Sequence, residues 1–441
     1  MKKYLLIIGI ASAMFAACSS SEEVLTQNTQ EPIDEENVTR DGLMGNIPIE
    51  FADITGSATV EETRGSASVN GSFKSGTMGI YCVSINKMNA SAETPYYLST
   101  KALGKILNVW LENVSAHVEP TQGDNKGYIK WDNPNEKHYY PKKDWYNYGF
   151  VAYHPRTDYV TINAHSLVAY MVIDGNDDVF SAISSEPRAE LDNTTAAKAY
   201  SQQYFEAVGV DNITADHRPY FNFKHMTSRL KFKVKLSSDC ERELHVDSIC
   251  INKFPNIMKL SLIKVDNGVV KSNWNTYSYI RTTADAMPES FLKTIPSAPV
   301  KDSEGNITGY NPVILGHYWL READDSSIGA KVNGEYKYIL NTTDYIDVGD
   351  CIMIAPVEKE HSKSTVQLEV YLRDNYNNLF TTTVPIAVPA PENGGWKSGT
   401  SYTIKVSIGG NIFFMDQTRG LMYGQLDGYT EGSAIEVTDN D

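Results

Sequence analysis

Cys18 is the position in this 441-residue chain where residue type and spacing speak most directly of chemistry. Met1-Lys2-Lys3 is a positive start, Tyr4 to Ala17 carries no charge, and Phe15-Ala16-Ala17-Cys18 stands where a secretory signal is cut. Cleavage before Cys18 would place its thiol at the new first residue. The apolar run is too short to span a bilayer comfortably and reads as a removable signal. The other cysteines, Cys82, Cys240, Cys250 and Cys351, form no C-x-x-C pair, and no Cys/His spacing suggests a zinc site. Cys240 and Cys250 flank a plausible turn, which leaves open a disulfide or two buried thiols. Asp174-Gly175-Asn176-Asp177-Asp178 opens like a calcium loop. It has Val179 where the Gly belongs and Ser185 where the bidentate Glu belongs, so an ordinary turn is expected and no metal is assigned. Nucleophile-elbow, H-E-x-x-H and phosphate-loop motifs are absent, no cofactor is implied, and the chain is not read as an enzyme.

The formal charge is −16, and loss of Lys2 and Lys3 with the signal leaves −18. That balance argues against nucleic acid and against anionic membrane surfaces, which both need a basic footprint. From Ser19 to about Arg40 the chain is polar and acidic, as in Ser19-Ser20-Ser21-Glu22-Glu23 and Asp34-Glu35-Glu36, and reads as a disordered tether. Small residues before Cys18 resemble the lipobox of bacterial lipoproteins, whose Cys is acylated. The acidic residues that follow resemble a Bacteroidetes surface-export signal.

The elements that must carry any site repeat with period two. Leu230, Phe232, Val234 and Leu236 share one face while Arg229, Lys231, Lys233 and Lys235 share the other. Val366 to Leu372 and Tyr402 to Ile408 alternate in the same way, which predicts strands with one buried and one wet face. Met78–Ile85 is apolar on both faces and predicts a central strand. Tyr148, Phe150 and Ala152 predict one strand face, and Gly149, Val151 and Tyr153 the other. The best helical stripe is about Thr195–Val208. The class is mainly β, as sandwiches, with a signal at 1–17, a tether at 18–45, an N-terminal domain at 46–225 and a C-terminal domain with tail at 226–441.

Several strings, in order, carry a resemblance. They are Ile47-Pro48-Ile49-Glu50-Phe51, Thr63-Arg64, Gly76 to Tyr81, Tyr148-Gly149-Phe150-Val151-Ala152-Tyr153-His154-Pro155, Phe221 to Leu230, and Trp396 to Tyr402. Together they resemble the fimbrillin-like family of Bacteroidales pilus-subunit lipoproteins. The resemblance implies two transthyretin-like β-sandwich domains, no enzymatic activity, and a lipid-anchored outer-membrane precursor at the cell surface. It implies other pilus subunits as partners through β-strand complementation, the outer membrane as partner through lipid on Cys18, and a host or bacterial surface ligand. It also implies trypsin-like cleavage after an Arg. Arg40 and Arg64 are the candidates; only the Arg64 cut would release Ile47–Phe51. The short apolar islets after Ile408 do not alternate as a donor strand should, which favours a tip or anchor subunit over a stalk subunit. The alternative is a surface glycan-binding lipoprotein using Trp131 or Trp145.

Overall fold

The computed structural model describes residues 44–52, 54–56, 68–69, 72–73, 77–86, 107–120, 126–141, 146–163, 166–184, 200–266, 269–270, 276–279, 287–313, 315–354, 356, 365–387, 396, 398–409, 422–428 and 434–436. The fold is mainly β, as the period-two patterning predicts.

In the N-terminal region one sheet returns on itself. Its order is Phe180–Ile183, Asn222–His225, Ile54–Gly56, Lys126–Trp131, Leu107–Pro120, Met78–Asn86 and Tyr146–His154, which pairs again with Phe180–Ile183. The central-strand expectation for Met78–Ile85 holds for a specific reason. Ile80 and Cys82 enter the core inside this ring, while Tyr81 and Val83 enter a second core outside it. Its neighbour divides likewise: Phe150 and Ala152 face inward, Val151 and Tyr153 outward, as the alternation predicts.

The C-terminal region is a pair of sheets facing across that second core. One runs Ile346–Ile354, Ser228–Leu236, Ser401–Ile408, Met422–Gly428, Ala434–Glu436; the other runs Leu315–Trp319, Leu244–Pro255, Thr365–Asp374, Leu379–Ala387. Leu230, Phe232, Val234 and Leu236 meet Val366, Leu368, Val370 and Leu372, with Ile404, Val406 and Ile408 beside them. Burying each such side chain contributes ~1.5–3 kcal/mol. A third sheet is built from both halves of the sequence, because Ser166–Val172 pairs antiparallel with Ile257–Asp266.

Two expectations are corrected. Arg229 was placed on the wet face with the three lysines, yet it is buried and its Nε donates to Ser401 Oγ at 3.0 Å. The neighbouring strand brings Ser401 opposite Arg229 in parallel register. Among the described residues, helix covers only Gln202–Val208 of the predicted Thr195–Val208 stripe. Ser201 stops it on the N-terminal side: its backbone is extended and its Oγ accepts from Tyr204 N at 3.1 Å. Tyr200 instead bridges to Tyr148.

Candidate functional site

The segment that closes the N-terminal ring is Met44–Gly56 with residue 53 outside the described set, and it is held very differently on its two sides. Alternation buries Ile47, Ile49 and Phe51 to 3%, 1% and 8% exposure. Phe51 sits edge-on to Trp131 and Phe150, with ring centroids 5.3 Å away in both cases, and 5.4 Å from Phe221. These are full core contacts. The backbone seams, in contrast, are short. Met44–Pro48 pairs with Tyr139–Pro141 at only two positions, Met44 with Pro141 and Pro48 with Tyr139, and the register shifts between them. Pro48 and Pro141 have no N–H to give to that ladder.

Single bonds then take over from the ladder. Ile49 N donates to His138 O at 2.8 Å, Trp131 Nε1 to Ile49 O at 3.2 Å, and Ala52 N to Pro219 O at 2.9 Å. Asn46 N donates to Gln202 Oε1 at 3.1 Å, and Arg218 pairs with Glu50. Gly45 is required where it stands, since a Cβ there would meet the Tyr140 carbonyl and the Gln202 side chain. Ile54–Gly56 finally closes the ring with two residue pairs on each side. Ile54 and Thr55 face Gly127 and Lys126; Thr55 and Gly56 lie parallel to Asn222 and Phe223. Removing the segment would leave two strand edges unpaired and open an apolar slot bordered by Trp131, Phe150 and Phe221. An extended peptide with large apolar residues at alternate positions satisfies both.

Cys18, Arg40 and Arg64 lie outside the described residues, as do Trp145 and Ser185. Trp131 is described, and its indole is committed: its N–H is bonded to Ile49 and its ring packs on Phe51 and, at 4.7 Å, on His138. Cys240 and Cys250 are both buried and neither is in a disulfide. Burial pushes the Cys250 thiol up to about 12.

The Asp174–Asp178 turn divides rather than converging on a cation. Asp174 Oδ1 accepts from Asn176 N at 3.0 Å at the surface, whereas Asp178 turns inward. Among the described residues no group of three or more His, Cys, Asp or Glu side chains could hold a metal. Asp178 forms the core of a polar cluster that the sequence reading missed. His225 Nδ1 lies 2.6 Å from Asp178 Oδ2, and Thr227 Oγ1 donates to Asp178 Oδ1 at 2.9 Å. Burial alone would raise the Asp178 pKa, but the charge and hydrogen bonding of His225 and the Thr227 hydroxyl outweigh it and hold it below the usual value. The His225 pKa is raised, chiefly by Asp178, against its own partial burial. This pair ties the Asp178 loop to the residues that lead into Ser228–Leu236, so the His of the Phe221–Leu230 string is a structural clamp in this fold.

No family model and no curated protein matches the chain. Solved structures do. A candidate cell adhesion protein from Bacteroides uniformis is similar at 11% identity and a TM-score of 0.38, covering 88% of this chain and 98% of its own. A fimbrial protein from Bacteroides vulgatus is similar at 11% identity and 0.35, covering 87% and 100%. The fimbrial anchor protein Mfa2 from Porphyromonas gingivalis is similar at 11% identity and 0.30, covering 89% and 100%. The solved structures that resemble this chain thus include cell adhesion and fimbrial proteins of Bacteroidales.

Proposed function

We propose that this chain is a structural or adhesive subunit of a cell-surface pilus, exported as a lipoprotein through Cys18 and assembled by exchange of the strand that closes its N-terminal ring. The observation that carries this reading is the mismatch in that segment: Ile47, Ile49 and Phe51 fill a deep slot, while Ile54–Gly56 holds the ring shut with only two residue pairs per side. Such an element gives up few backbone bonds on leaving and exposes a surface that another strand refills. Cleavage at Arg64 would free it from the body of the chain, whereas cleavage at Arg40 would remove the lipid and leave it seated.

The tail supports a tip or anchor position over a stalk position. Met422–Gly428 pairs residue for residue with Ser401–Ile408 of its own chain, from Tyr402 with Gly428 to Ile408 with Met422. A tail already engaged in its own sheet is not free to donate.

The test is N-terminal sequencing of the surface-exposed protein, together with immunogold labelling of whole cells. A start at Gly65 on filaments identifies an exchanging subunit, and a start at Cys18 with label at filament bases identifies an anchor. An even coat without filaments overturns the pilus reading.

A further inference from the structure

Beside the closing segment lies a groove of about 720 Å3, within the ~300–1,000 Å3 range of small-molecule sites. Asn46, Pro48 and Glu50 of the closing segment contribute to its lining, and the paired strands Leu107–Pro120 and Lys126–Trp131 contribute His117, Glu119, Lys130 and Trp131. The turn that follows supplies Asp132, Asn133, Glu136 and Lys137. We infer that this groove binds a short neutral oligosaccharide, and that the ligand bridges the closing segment to the body of the ring and holds the segment in place.

The chemistry of the lining selects the ligand. Both acidic and basic side chains line the groove, so a polyanion meets Glu119 and Glu136 and a polycation meets Lys130 and Lys137. A sugar avoids that conflict, because each hydroxyl both donates and accepts. The polar groups are also fixed in advance. His117 Nδ1 lies 2.6 Å from Asp132 Oδ1, Ser115 donates to the other oxygen of Asp132, and Asn133 Nδ2 donates to Glu136 at 3.5 Å. Preorganised donors and acceptors lower the ordering cost of binding. Trp131, with its N–H bonded to Ile49, also lines the groove.

The coupling follows from which residues form the groove. When the closing segment leaves, Asn46, Pro48 and Glu50 leave with it, and the site loses one side. A ligand that binds only the closed form suppresses opening by the factor 1 + [L]/Kd. This inference rests on the seated segment; it concerns the same element as the strand-exchange reading, but the two fail separately.

The experiment is native-state hydrogen exchange on the full chain, reading the amides of Ile49 and Ala52. Maltotriose, cellotriose, xylotriose, mannotriose, chitotriose and N-acetyllactosamine are each added at about 10 mM, which protects about tenfold for a ~1 mM Kd. The expected result is about tenfold slower exchange at both amides with at least one sugar. Glu119→Gln and Asn133→Ala should remove the protection while leaving the ligand-free rates as they were. The inference is overturned if no sugar protects, if protection survives in both variants, or if only an oligolysine or a heparin fragment protects. None of these outcomes touches strand exchange, which is read by oligomer formation after cleavage at Arg64.

Discussion

The two ends of this molecule close their β-structure by opposite means. In the C-terminal sandwich, Ser228–Leu236 and Ser401–Ile408 run parallel through eight residue pairs, from Arg229 with Ser401 to Leu236 with Ile408. In the N-terminal ring, the corresponding closure at Ile54–Gly56 has two pairs per side and depends on three side chains in a slot. The first closure opens only if the core unfolds. The second separates packing from backbone pairing, which is the feature the proposed strand exchange would use. On the proposed reading, cooperative stability and replaceability fall in different parts of one chain.

Substitutions can break this contrast. Phe232→Ala removes a fully buried ring from the sandwich core and should cost about 3–5 kcal/mol in denaturant unfolding. Phe51→Ala should cost about 2–3 kcal/mol, and its main signature should be faster exchange at Ile49 and Ala52 rather than a lower global midpoint. Equal effects of the two on global unfolding would remove the distinction.

The clamp between the regions gives a pH signature. His225 has a raised pKa, so its contribution is complete below about 6.5 and fades as pH rises through the raised value. Asp178 has a lowered pKa, so its contribution is complete above about 3.9 and fades as pH falls through the lowered value. Thermal unfolding should therefore show a plateau from about pH 4 to 6.5, with losses on both sides. His225→Gln should cost about 1.5–3 kcal/mol on the plateau and flatten the alkaline decline. The smallest effect is expected of Arg218→Ala. Its pair with Glu50 is partly exposed, at 35% and 53%, and should contribute at most about 1 kcal/mol to seating the segment, measured as local exchange at Ile49.

Much of this architecture is legible in the sequence because strict alternation has one structural meaning. Leu230 to Leu236, Val366 to Leu372 and Tyr402 to Ile408 go where their period sends them, and the doubly apolar Met78–Ile85 lies between two cores. The site is only half legible. The pattern Ile47-x-Ile49-x-Phe51 predicts a buried strand, but how few backbone pairs follow it depends on partners distant in the sequence, Gly127 and Asn222 among them. Arg229 carries a wet-face pattern and is buried, with its Nε donating to Ser401, a partner 172 positions along the chain. Asp178 looked like a turn residue; its Thr227 partner lies 49 positions along the chain, and no local pattern announces such a pair.

The central claim is that the closing segment can leave a folded body and be replaced from outside. The direct measurement is to cut the purified chain at Arg64 with a trypsin-like protease and add a fluorescently labelled peptide of sequence 44–56 under native conditions. The account predicts that the labelled peptide enters the ring in exchange for the original segment while the sandwich stays folded by circular dichroism. Retention of the original segment, with label incorporated only after global unfolding, would contradict it.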